Sequence, residues 1–213
     1  MLIESKADLL AALAESTGGE ILLAPGNYGS LKLRADQQSY AQFDSEVTLK
    51  SADPANPAAF DSIWLILAKN LTFDGIKLDY TFAAGDRQWA SPLKIEGCCH
   101  IRISNSIFDG DLAEGIDAVS DEYGTARGIL VVGRETTKSQ HITITNNEFF
   151  NWMRAGVFAD VDDLVVSGND VHSIRSDGFD FITVNRVVIE DNHIHDFVAS
   201  PDSSDHRDFI QFW

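Results

Sequence analysis

The 213-residue chain is short of cysteine, of positive charge and of long apolar runs. Its only cysteines, Cys98 and Cys99, are neighbours, and adjacent residues seldom meet disulfide geometry, so no disulfide framework is implied. In "IEGCCHIRI" they read as small buried fillers. Sixteen basic residues face thirty-three acidic ones, giving a net charge of −17 and a pI near 4.5. Such a surface repels nucleic acid and anionic membranes, which argues against both as partners. It also repels an acidic polysaccharide unless a local basic strip or a bound cation opposes it. No apolar run reaches transmembrane length, the longest being "SIWLILA" at 62–68. The opening "MLIESKADLLAALAES" carries neither a basic region nor a cleavage site, so no Sec signal is expected there. Export by a C-terminal signal outside these residues, or assembly inside a cell as part of a particle, is the expected alternative.

What is present suffices for one domain, since 44% of residues are apolar. Residues 5–16, "SKADLLAALAES", read as one amphipathic helix. Leu9, Leu10 and Leu13 share a face, Ser5 serves as N-cap, and Gly18-Gly19 stop it. Beyond it come short β-like runs separated by Gly, Asn, Asp and Ser, and these runs repeat. "NLTFDGIKLDY", "HIRISNSIFDGD", "HITITNNEFFNW", "DLVVSGNDVHSI" and "RVVIEDNHIHDF" each place an alternating apolar pair before a few polar or small residues. The pairs are Leu71/Phe73, Ile101/Ile103, Ile142/Ile144, Leu164/Val166 and Val187/Ile189. The last three pairs recur at steps of 22 and 23 residues, and earlier steps of 30 and 41 fit the same unit with inserted loops. A second series, "RGILV", "AGVFA", "DGFDF" and "DFIQF", interleaves with the first and alternates inward and outward.

A repeat near 22 residues with two or three short strands predicts a solenoid. The leucine signature of leucine-rich repeats is absent, and the hairpin turns of a β-sandwich are sparse. The predicted fold is an all-β, right-handed parallel β-helix over 20–213 with a capping α-helix in 1–19. Like residues then stack in columns. Asn147, Asn169 and Asn192, continued by Ser106, read as an internal ladder of corner amides. "DFIQFW" reads as a strand in mid-coil, so further coils are expected beyond Trp213 or from a partner.

With "GGEILLAPGNYGSLKL" after one capping helix, the chain resembles the pectin-lyase-like β-helix proteins over nearly its whole length. These include polysaccharide lyases, polygalacturonases, alginate epimerases and phage tailspikes. The resemblance implies a substrate cleft along an external face bounded by long loops, here 81–91, 111–126 and 198–207. The second strand series predicts an outward column of Leu130, Phe158, Asp180 and Gln211, with Lys94 below. Arg127, Ala155, Asp177 and Asp208 are expected beside it, flanked by Arg154, Arg175, His206 and Arg207.

Asp177 and Asp208 on successive coils form an acid/base pair, since repulsion raises the pKa of one. "SDGFDF" resembles the Asn-Thr-Asp-Gly-x-Asp signature of polygalacturonases, which would make Asp177, Asp180 and Asp208 catalytic carboxylates. Arg175-Ser176 stands where Asn-Thr is expected, Asp208 is a single acid, and the downstream Gly-His-Gly and Arg-x-Lys elements have no counterpart. "SSDHRDF" is faintly similar to the Asp-Pro-His-Asp/Glu motif of alginate epimerases and supplies His206 and Arg207. A lyase or epimerase removes the C5 proton of a uronate, which requires a base and a group neutralising the carboxylate.

Lys94, Arg154, Arg175, Phe158 and Gln211 are the expected substrate contacts. Asp160, Asp162, Asp163 and Asp177 offer hard oxygen ligands that Ca²⁺ would accept. Trp89, Trp152 and Trp213 are expected near loops, where flat aromatic faces suit sugar rings. The expected role is recognition, extending to cleavage, of an extracellular, acidic polysaccharide by a secreted or virion-associated protein. The competing class is a non-catalytic structural or receptor-binding module of a phage-like spike or secreted repeat protein, assembled as a homotrimer or by coil-to-coil contact.

Overall fold

The computed structural model describes residues 2–38, 41–83 and 85–213. Met1, Ser39, Tyr40 and Ala84 lie outside the described residues, the first within the expected cap and the last within the expected 81–91 wall. The helix α1 spans Lys6–Glu15, and the Ser5 side chain accepts from the Asp8 N–H, which satisfies one orphan donor of the first turn. Leu9 and Leu13 are buried and Leu10 is half-buried against the same core, so the apolar stripe lies on the end of the solenoid. The short strand Leu2–Ile3 pairs with Leu22 and Leu23, tying the cap to the first coil.

Every strand pairing among the named strands is parallel, and three sheets run the length of the rod. The first sheet contains Lys69–Asp74, Cys99–Ser104, Ser139–Thr145, Val161–Ser167 and Asn185–Glu190. The second contains Lys77–Asp79, Ile107–Asp109, Glu148–Phe150, Asp170–His172 and His193–Ile194. The third contains Ser30–Arg34, Ser62–Ile66, Leu93–Glu96, Thr125–Val132, Trp152–Ala159, Phe179–Ile182 and Ile210–Phe212. The chain visits the sheets in that order and climbs one strand spacing per coil, about 4.8 Å.

The apolar pairs of the sequence stack in register: Leu71 on Ile101, Ile101 on Ile142, Ile142 on Leu164, Leu164 on Val187. Inside the coils aromatic rings continue the columns, with Phe108 on Phe149 at 4.1 Å and Phe158 on Phe181 at 5.2 Å. The asparagine ladder is present. The Oδ1 of Asn169 accepts from the N–H of Asn147 and from its Nδ2, both at 3.0 Å, while the Nδ2 of Asn169 donates to Ile144 O and Asn192 Oδ1. The ladder residues do not themselves take the bend. The left-handed conformation falls on the residue before each, Asn105 (φ 53°), Asn146 (φ 55°), Gly168 (φ 64°) and Asp191 (φ 54°). One residue turns the chain and the next bonds to its copies above and below.

Candidate active site

Outward side chains on the third sheet follow from its register. One column runs Lys32, Trp64, Lys94, Leu130, Val157, Asp180, Gln211. A second begins with Arg127 opposite Arg154 and, at the same register, continues to Asp177 and Asp208. This shifts one strand by a residue relative to the sequence expectation. The stretch that aligns is "RAGVF", with Arg154-Ala155-Gly156-Val157-Phe158 against Arg127-Gly128-Ile129-Leu130-Val131. Val157 therefore faces outward, and Phe158 points into the core, stacked on Phe181 and fully buried. As a substrate contact Phe158 is ruled out, because a one-residue slip moves every side chain to the other face. Arg154 takes the column place expected for Ala155.

The slip changes the chemistry of the site. Arg154 reaches from its rung to both buried acids, with Nη2 2.9 Å from Asp177 Oδ2 and Nη1 3.0 Å from Asp180 Oδ2. Asp177 and Asp180 are 0% and 1% exposed. Asp177 also accepts from the Ser176 hydroxyl and from the N–H of Asp208. Asp180 is less well served, since its Oδ1 is buried with no partner. Burial pushes the Asp180 carboxyl up to about 6; Arg154 and Arg127 oppose the rise, while Asp177 and Asp208 add to it. Arg127 makes no ion pair among the described residues, and its Nε is buried without a partner. Burial, followed by the neighbouring Arg154, draws its pKa down.

At the upper end His206 and Asp208 meet, with Nδ1 2.8 Å from Oδ2. His206 is largely exposed, which leaves Nε2 facing solvent. Ser176 Oγ donates to the His206 carbonyl at 2.9 Å, and Gly178 N–H donates to Asp208 O, fixing the returning loop. A Cβ at Gly178 would collide with the Phe209 carbonyl oxygen, so glycine is what lets this loop close onto the sheet. Asp177, Asp180, Asp208 and His206 thus converge.

The remaining candidates lie elsewhere. Gln211 follows Asp180 in its column. Lys94 is three rungs below Asp180, paired with Glu96, which also accepts from Trp64 Nε1 and pairs with Arg134 at 2.8 Å. Trp64, which the sequence analysis did not single out, faces outward under Lys32, whose Nζ is 3.8 Å from the ring centroid. A shallow cavity of about 190 Å³ lined by Ser62, Trp64, Ser91, Pro92 and Lys94 runs beside it. Alternation within "SIWLI" was the available signal. Arg175 leaves the strip and pairs with Asp205 at 2.7 Å beneath the loops. Arg207 donates to Ser200 O and braces its own loop.

Two of the loops expected as walls touch, since Gln88 Nε2 in 81–91 donates to Ser120 Oγ in 111–126. Trp152, expected near the loops, is fully buried under Tyr80, and its Nε1 donates to Phe108 O. Trp89 and Trp213 are exposed. A larger groove of about 320 Å³ follows the first sheet past His100, Arg102 and His141, but no carboxylate lining it is buried.

Of the acids expected to hold Ca²⁺, Asp162 and Asp163 are held in ion pairs. Asp163 takes a two-pronged bond from Arg186, Asp162 pairs with Lys138 at 3.0 Å, and Asp160 sits exposed in the left-handed turn before them. Asp177, His206 and Asp208 bring three ligand atoms within 4.8 Å of one another, yet Arg154 already neutralises Asp177. An imidazole is a poor ligand for Ca²⁺, which takes six to eight oxygens, and the two carboxylates supply only part of such a set.

Residues 127–201 match the family described as "Right handed beta helix region". No curated protein matches the chain. Among solved structures, pectate lyase Pel9A superposes with a TM-score of 0.52 at 13% identity, over 92% of this chain and 50% of that one. An alginate lyase from Paenibacillus sp. str. FPU-7 gives a TM-score of 0.48 at 17% identity, over 90% of this chain and 74% of that one. The chain spans half the length of the pectate lyase. The fold is a right-handed parallel β-helix, and the likeness to Pel9A, at 13% identity, is one of fold.

Proposed function

We propose that the outer face of the third sheet binds an acidic polysaccharide and that the His206–Asp208 end cleaves it by β-elimination at a uronate unit. The observation that carries this reading is the 2.8 Å pairing of an exposed imidazole with Asp208, one rung above the Arg154-bridged acids. Asp208 orients His206 through Nδ1, so Nε2 is the base that takes the C5 proton. The C4–O bond then breaks, a C4–C5 double bond forms, and the departing oxygen takes a proton from water.

Arg127, which makes no ion pair among the described residues, is a cation available to pair with a uronate carboxylate. It sits three rungs from Asp208, about 14 Å along the rod. It would hold a neighbouring sugar and set the register of the chain. Lys32, Trp64 and Lys94 continue the strip with charge and a flat aromatic face. They supply the local basic strip that an acidic substrate needs on a protein of charge −17. The Arg154–Asp177–Asp180 cluster continues the same two columns, with Arg154 bridging the two buried acids.

A non-catalytic binding module is the second reading. It is favoured by the exposed apolar side chains Phe209, Phe212 and Trp213 on the last coil, which suit contact with another coil. A panel of uronate and neutral polysaccharides separates the two. Unsaturated uronate ends are the expected product, reducing ends without unsaturation would move the chemistry to hydrolysis, and binding without product would leave the module.

A further inference from the structure

A second cluster of chemically active side chains lies on the second sheet, at the segment His193-Ile194-His195. Ile194 packs on the core, so both imidazoles face outward. Asp170 sits opposite His193 one coil earlier. The two rings converge on a single oxygen, His193 Nδ1 lying 3.2 Å and His195 Nε2 3.1 Å from Asp170 Oδ1. All three ligand atoms are within 4.8 Å of one another. The other nitrogen of His195 is held by Asp196, with Nδ1 2.8 Å from Oδ2. A carboxylate behind an imidazole in this way fixes the tautomer and directs the lone pair of the opposite nitrogen, the arrangement found behind metal-bound histidines. Neither lysine nor arginine pairs with Asp170 among the described residues, in contrast to Asp162, Asp163 and Asp177.

We propose that Asp170, His193 and His195 bind a first-row divalent transition-metal ion of the zinc type. Two imidazole nitrogens and one carboxylate oxygen suit such an ion and not Ca²⁺ or Mg²⁺. A tetrahedral ion with bonds of about 2.0–2.1 Å separates its ligands by roughly 3.3 Å, so separations of 3.1 and 3.2 Å need little adjustment. His193 is three-quarters exposed, which leaves the fourth position to water. Bound there, the ion staples one coil to the next at the root of the loop that carries His206 and Asp208 back to the third sheet. The site shares no residue with that sheet, and its failure would leave the polysaccharide reading untouched.

The test is a calorimetric titration of the metal-free full chain with zinc chloride, repeated with cobalt(II) for its visible absorption, alongside thermal unfolding with and without zinc. One site per chain is expected, with a higher unfolding midpoint when zinc is present. His193→Ala and Asp170→Asn should each weaken binding by tenfold or more and abolish the midpoint shift. Asp196→Asn should weaken it by about tenfold through the tautomer. All three positions are at or near the surface, and melts of the metal-free variants will show that they fold. His206→Ala is the control for the Asp177–His206–Asp208 cluster and should bind zinc as the parent does. Absence of binding to the parent overturns the proposal, as does binding that survives His193→Ala or is lost in His206→Ala.

Discussion

Replacing Asp180 by asparagine tests the electrostatics of the buried cluster. Asp180 is 1% exposed, one of its oxygens has no partner, and its carboxyl is raised to about 6 from 3.8. A folded-state pKa above the unfolded one means that the folded protein binds the proton more tightly. The resulting stability is fully present below about pH 3.8 and is lost as the pH rises through about 6. The shift of about 2.2 pH units corresponds to roughly 3 kcal/mol. Asparagine has the same shape, can still accept from Arg154, and does not titrate. The stability of Asp180→Asn relative to the parent should therefore rise by about 3 kcal/mol between about pH 4 and pH 7.5, whatever its starting offset. Urea unfolding at a series of pH values measures that difference. A flat difference would show that Arg154 offsets the burial of Asp180 completely. A falling one would show that the ion pair dominates and that the cluster has no raised acid.

Removing Arg154 instead leaves two buried acids unpaired, so Arg154→Met should cost about 3–5 kcal/mol at neutral pH. Much of that loss should return in acid, as a pH series of the same unfolding curves will show. Asn169→Ala removes bonds to Asn147, Ile144 and Asn192 in the core and should cost about 2–4 kcal/mol, measured by denaturant midpoint. Lys94→Ala together with Lys32→Ala should weaken binding of acidic but not neutral polysaccharide, and affinity electrophoresis at two salt concentrations checks it.

The rod, its cap and its ladder were legible because a solenoid writes its geometry as a period. Ile142, Leu164 and Val187 recur at nearly constant steps and face the same way. The third sheet was harder to align, since its strands follow loops of unequal length and begin with small residues. "RAGVF" and "AGVFA" both alternate plausibly, and only the packing of Phe158 on Phe181 decides between them. That one-residue ambiguity hid the role of Arg154. The pairing of Asp177 with Asp208 survived because Asp-Gly-Phe and Asp-Phe-Ile align without a gap. Ion pairing is invisible to sequence patterns, so Asp162 and Asp163 read as free ligands although Arg186 and Lys138 hold them.

The third-sheet site is tested most directly by the rate at which unsaturated uronate ends appear from a cleaved acidic polysaccharide, in the parent and in His206→Gln. His206 is exposed and bonds to Asp208 from outside the core, so the variant should fold and melt as the parent does. Its kcat should fall by about a hundredfold or more with little change in KM, as expected when a general base is removed. Turnover by His206→Gln equal to that of the parent would contradict the assignment of His206 and Asp208 as the reactive end of the groove.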